Sequence, residues 1–109
     1  MTVLNRKLEL ETRQRTEDGA GGFSSTWVTL GTHWGAVEPL SGRLERGEAE
    51  ARSRVAYRVT LRAVPTTSPA RPMAGQRFRD GTRIFEIRSV RDSRDMRSLD
   101  CLVDEEVAS

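Results

Sequence analysis

This 109-residue chain has one cysteine, one histidine, one tyrosine and, in Lys7, one lysine. A lone Cys101 excludes an intrachain disulfide and any cysteine-cluster metal site. A lone His33 leaves no Ser-His-Asp or Cys-His constellation, and a turn or edge position beside Trp34 is expected for it. Aromatic residues make up only 6%, few for a platform on which bases stack. No apolar run approaches the roughly 20 residues of a membrane helix. The start, MTVLNRKLELE, has no signal-peptide core, so a soluble protein made in a cytoplasm is expected, with no membrane partner. The glycine run EDGAGGF lacks the Lys-Ser/Thr ending of a phosphate loop and leads into no helix. Paired carboxylates such as Glu48 and Glu50 fall on a charged stretch that implies no pocket. Neither catalytic residues, metal ligands nor a cofactor are therefore expected, and the chain reads as a non-enzyme.

What is present is charge and alternation. Charged residues are 31%, hydrophobic residues 36%, and mean hydropathy is −0.58. The net charge of +2 is too small for a dedicated DNA-binding domain. The bases are nearly all arginine, which suits bidentate carboxylate pairing and equally a GC-rich genome. Residues 71–97 hold eight arginines against four acids, whereas Asp100, Asp104, Glu105 and Glu106 follow with no base after Arg97. Such a chain could pair head to tail with copies of itself, or simply end in a solvated acidic terminus.

Period-two alternation predicts strands. Leu8, Leu10 and Thr12 share one face of residues 7–16. Residues 26–39 form a long strand in which Gly31 and Gly35 suggest bulges or a bend, with Pro39 at its end or on an edge. Val55, Tyr57, Val59 and Leu61 line residues 55–62. Residues 76–79, 82–90 and 98–104 follow, with an Asp80-Gly81 hairpin turn and with Leu99, Cys101 and Val103 pointing inward. At this length one domain spanning residues 1–109 is expected. Its fold class is all-β: a small antiparallel barrel of about six strands.

One stretch does not fit a barrel wall. Residues 41–54, SGRLERGEAEARSR, are too long for a tight hairpin and too polar for a core. The Glu48–Arg52 and Glu50–Arg54 spacings favour a short helix, and Gly47 opposes it by about 1 kcal/mol. A segment ordered by its neighbours is expected, against the simpler reading of a solvated loop.

The order of these signals resembles a known family. DGAGGF, then TW, W-x-A-V-E-P-L-S-G, Y-R-V-T-L-R, RPMAGQRF, DGTRIFEI and LDCLVDEE together are similar to the head–tail joining proteins of long-tailed phages and phage-like gene transfer particles, also called head-closure or stopper proteins. That resemblance implies a homo-oligomeric ring, a hexamer favoured over a dodecamer, lying below the portal and adaptor. It implies tail terminator or tail tube proteins on the other side and packaged double-stranded DNA in the channel. It assigns a channel or gating loop to Ser41, Gly42, Arg43, Leu44, Glu45, Arg46, Gly47, Glu48, Glu50, Arg52 and Arg54. A second loop, with Pro65, Pro69, Arg71 and Pro72, is the candidate contact for the adaptor or a neighbouring subunit. The alternative is a small β-barrel nucleic-acid module. That would place aromatic side chains on an exposed basic face, whereas Tyr57, Phe78 and Phe85 sit at expected core positions.

Overall fold

The computed structural model describes residues 3–46 and 52–108. Six strands follow in chain order: β1 (Arg6–Glu17), β2 (Phe23–Arg46), β3 (Arg52–Arg62), β4 (Arg77–Asp80), β5 (Arg83–Asp92) and β6 (Ser98–Ala108). All pairings are antiparallel. The order β1-β2-β3-β6-β5-β4 closes on itself to form a barrel.

The alternating residues fill its interior. Leu8, Leu10, Val59, Leu61, Phe78, Phe85, Ile87, Cys101 and Val103 form one buried cluster, with Leu30, Val37, Tyr57 and Val90 packed against it. Leu99 is equally buried. Short turns join β1 to β2, β4 to β5 and β5 to β6, and a longer loop joins β3 to β4. In the turn after β1, the Asp18 carboxylate accepts hydrogen bonds from the Ala20 and Gly22 amides at 2.8 and 3.0 Å. Gly19 and Gly21 adopt φ of +80° and +85° there, a region open to glycine at little cost.

β2 dominates the shape. Its 24 residues would span about 80 Å if straight, yet the molecule's longest axis is 52 Å. The strand therefore bends. Leu30 is one residue extra against β1, where the register passes from Gly31 opposite Leu10 to Thr29 opposite Glu11. A second shift lies between Pro39, opposite Tyr57, and Leu44, opposite Val55. Such bulges bend a strand and raise its twist.

Because β2 is longer than the barrel, a ribbon extends from each of its ends. β4 pairs only with Glu9, Leu10 and Glu11 of β1. The stretch of β1 from Thr12 to Glu17, paired with β2 from Phe23 to Val28, continues past it as a hairpin. At the other end, Leu44, Glu45 and Arg46 pair with Val55, Arg54 and Ser53. Arg52 to Val55 also pair with Ala108 to Glu105 of β6. The radius of gyration, 15.3 Å, exceeds the roughly 13 Å of a compact domain of this length, as two ribbons require.

The short helix considered for residues 41–54 is not found among the described residues. Both sides of that segment continue as strand, and residues 47–51, including Gly47, Glu48 and Glu50, lie outside the described residues. Backbone ladders to β3 and β6 outweigh i,i+4 pairs worth a few tenths of a kcal/mol. His33 is also not at a turn or edge. It lies within β2, opposite Leu8.

Gly35 marks the closest approach in the wall. A Cβ there would lie 2.7 Å from Leu61 Cδ2, 3.0 Å from the Thr60 carbonyl oxygen and 3.2 Å from Leu8 Cδ1. At Gly31 the nearest atom would be Ala70 Cβ at 3.4 Å, an ordinary contact. Gly35→Ala is expected to lower unfolding free energy by about 1–3 kcal/mol through overpacking. Gly31→Ala is expected to change it by less than about 1 kcal/mol. Urea denaturation of both variants measures the difference.

Candidate functional site

The candidate site is the base of the β2–β3 ribbon, where β3, β6 and β5 lie side by side. Glu86 on β5 stands directly opposite Asp104 on β6. Like charges in that position repel. Two arginines bridge them. Arg54 Nη1 donates to Glu86 Oε2 at 3.1 Å and to Asp104 Oδ1 at 2.9 Å, and its Nη2 lies 3.6 Å from Glu106. Arg88 Nε donates to Asp104 Oδ2 at 2.7 Å, and its Nη2 to Glu86 Oε2 at 2.9 Å. The bond to Glu86 first, then those to Asp104, holds the Arg54 proton more tightly than in free arginine. Arg54, the last residue of the sequence-predicted loop, is thus the clasp that fixes the ribbon to the barrel.

A second clasp lies beside it. Arg83 Nε and Nη2 donate to the two oxygens of Glu105 at 2.8 and 2.9 Å, a bidentate fork. Tyr57 hydroxyl lies 3.3 Å from both partners, and its ring meets Phe85 edge-on at 5.3 Å. The Arg83 bond holds the Glu105 carboxyl below the usual glutamate value near 4.5. The acidic end considered for pairing between copies is therefore engaged at home: Asp104, Glu105 and Glu106 each pair with an arginine of their own chain.

Of the predicted loop residues, Ser41, Gly42, Arg43, Leu44, Glu45 and Arg46 lie on β2, and Arg52 and Arg54 on β3. The second predicted loop, residues 64–75, falls within the connection between β3 and β4. His33 Nε2–H donates to the Ala70 carbonyl at 2.7 Å, and the ring stands edge-on to Phe78 at 6.4 Å. Arg71 Nη1 donates to the Val64 carbonyl at 2.9 Å and reaches Asp92 at 3.4 Å. Pro72 is buried, whereas Pro65 and Pro69 face solvent. Arg71 and Pro72 hold the loop's own shape, and Pro65 and Pro69 form its outer surface. Sequence reasoning passed over Arg83, Arg88 and Glu86. Their only signal was the opposition of Arg-rich β4–β5 to the acidic end. It also passed over Trp34, which is 56% exposed beside a cleft of about 440 Å³ lined by Leu4, Thr32, His33, Arg62 and Val64.

A family model described as phage head completion protein matches residues 2–107. The chain belongs to that family. It is also similar to a solved structure, a chain of the "Virion of native gene transfer agent (GTA) particle", at 38% identity and a TM-score of 0.86, with all of both chains covered. A comparison with curated proteins finds no match. In a family of head completion proteins, a clasp that fixes a projecting ribbon fits a structural role.

Two measurements test the clasps. Arg54→Met is expected to destabilise the fold by about 1 kcal/mol, since the group is partly solvent-screened. Adding Glu86→Gln is expected to recover most of the loss by removing the repulsion with Asp104; a thermal-melting cycle of the four proteins reads the coupling. For Glu105, a depressed folded-state pKa means stability present above about 4.5 and lost as pH falls below it. Arg83→Met is expected to flatten that acid limb in pH-dependent urea melts while lowering stability near neutrality.

Proposed function

We propose that this head completion protein forms a ring in the head–tail connector of a phage-like particle, below the portal and adaptor. There it closes the DNA-filled head and offers the docking surface for the tail. The observation that carries this reading is the β2–β3 ribbon, in which Leu44, Glu45 and Arg46 pair with Val55, Arg54 and Ser53 and which Arg54 anchors at its base. A ring subunit needs a rigid wall, a repeated contact and a segment that reaches into the channel. The barrel supplies the first and the ribbon the last. Mixed charge suits a surface past which DNA slides, since each phosphate neutralised by a base adds affinity and salt dependence that would oppose release. The outward prolines of the second loop, Pro65 and Pro69, are the contact for the adaptor or for a neighbouring subunit.

The nucleic-acid-module alternative needs several aromatics on one exposed basic face, and among the described residues only Phe23 and Trp34 are exposed aromatics. Phe78 and Phe85 are buried, and Tyr57 packs against the core. Phe23 and Trp27 already carry guanidinium groups of their own chain: Arg15 at 4.3 Å from Phe23, Arg77 at 4.0 Å and Arg13 at 5.1 Å from Trp27.

Replacing residues 42–53 by a short Gly-Ser linker, with Arg54 retained, is expected to give particles that assemble but lose packaged DNA. Nuclease-protected DNA per particle is the readout. Full DNA retention in the deleted particles would remove the ribbon from the closing role.

A further inference from the structure

The ring reading requires a contact between copies, and the inference here rests on it. Two features on β2, one at its start and one at its middle, are complementary. The first is the tip of the β1–β2 hairpin. Phe23 is 57% exposed there. Beside it stand Glu17, its register partner, and Asp18. Glu17 has no ion pair among the described residues. The Ala20 and Gly22 amides hold Asp18 below the ordinary aspartate value, so it stays anionic. The tip is an exposed ring with two carboxylates beside it and the Arg15 guanidinium 4.3 Å from its centroid, on one face.

The second feature is the cleft at Trp34. Its large exposed side chain is flanked on one side by Lys7, its register partner on β1, and on the other by Arg62. Neither base has an ion pair among the described residues, and both are exposed. The cleft, lined by Leu4, Val64 and Trp34 together with Thr32 and His33, lies between two positive charges. A contact of this kind joins an aromatic anchor to a pocket, with opposite charges around it to fix register.

Tip and cleft cannot meet within one molecule. Phe23 and Trp34 lie on the same strand, held apart by its ladder with β1. Eleven residues separate them, about 36 Å at most. We propose that the β1–β2 hairpin tip of one copy docks into the Trp34 cleft of the next, with Phe23 against Trp34, and Glu17 and Asp18 facing Arg62 and Lys7. A contact between two different patches of the same chain is heterologous. Repeated, it does not stop at a dimer, and it forms a ring where the rotation between copies closes. It leaves the β2–β3 ribbon, at the other end of β2, free of the subunit interface.

The test uses particles assembled with Phe23→Cys and Trp34→Cys in the same chain, treated with a short bismaleimide and run on a denaturing gel. Cys101 is buried and its thiol is pushed up to about 12 by desolvation, so it adds no background. The expected result is a ladder beyond dimers that ends at the ring's copy number, with no ladder from either single variant. Normal particles without cross-linking, or a series that stops at dimers, would overturn the contact. A charge exchange decides the matter if the cysteine pair prevents assembly. Glu17→Arg and Arg62→Glu are each expected to reduce the protein recovered in particles about tenfold, and the two together to restore it. Both positions are exposed, so unchanged melting temperatures separate lost docking from lost folding. Loss with Arg62→Glu that Glu17→Arg does not rescue would assign the cleft to another protein and sink the proposal. Ring-shaped necks with no cross-link would leave the ring reading standing and remove only this contact. Particles carrying the protein as isolated copies would remove the ring reading itself.

Discussion

Closure of the barrel rests on a narrow seam. β1 and β4 share only three residue pairs, Glu9 with Arg79, Leu10 with Phe78 and Glu11 with Arg77. A ladder so short would part easily on its own. Side chains reinforce it on both faces. Inside, Leu10 and Phe78 are fully buried. Outside, Arg77 Nε lies 2.7 Å from Glu11, Arg79 reaches Glu11 at 3.2 Å and Glu9 at 2.8 Å, and Arg6 pairs with Asp80. Glu11 is only 4% exposed, so its charge is covered by the very groups that neutralise it. Without the seam the sheet would have two open edges, each a template for pairing with another chain.

The same chemistry continues around the outer wall. Acids on β1 face arginines on β4, Glu86 and Arg88 alternate on β5, and Asp104 and Glu106 on β6 meet Arg54 of β3. Within the chain, arginine suits this arrangement better than lysine would. Several of these arginines serve two acceptors at once, as Arg54 and Arg88 do with Glu86 and Asp104. A planar fork with five donors can do that, and an ammonium group does it poorly. The outer surface of a small barrel, with a modest core to rely on, is thereby tied strand to strand.

The barrel was legible in the sequence because its wall is half-buried and alternates. Leu8 and Leu10, Val59 and Leu61, and Leu99, Cys101 and Val103 announce their strands by period two alone. The ribbons were not legible for the same reason. Both faces of residues 12–17 and 23–26 meet solvent, so no periodic burial marks them. In residues 41–54, alternating Arg and Glu satisfy a helical spacing as well as an extended one. The partners that decide between the two, on β3 and β6, are distant in sequence. The role of His33 was hidden similarly, since its acceptor at Ala70 lies across a loop whose course the prolines do not specify. Arg54 was singled out as part of a loop, whereas its clasp on Glu86 and Asp104 depends on the strand order, which follows from closure rather than from any local pattern.

The continuity of β2 has a mechanical consequence. The hairpin at one end and the ribbon at the other are joined by a single run of peptide bonds, not by stacked elements. Tension applied to the ribbon is carried along that backbone as along a tie rod. The hydrogen bonds to β1 and β3 bear it side by side, in shear. The compliant points of this rod are its two register shifts, at Leu30 and between Pro39 and Leu44. They lie one on each side of Gly35, where the wall is packed too tightly to yield.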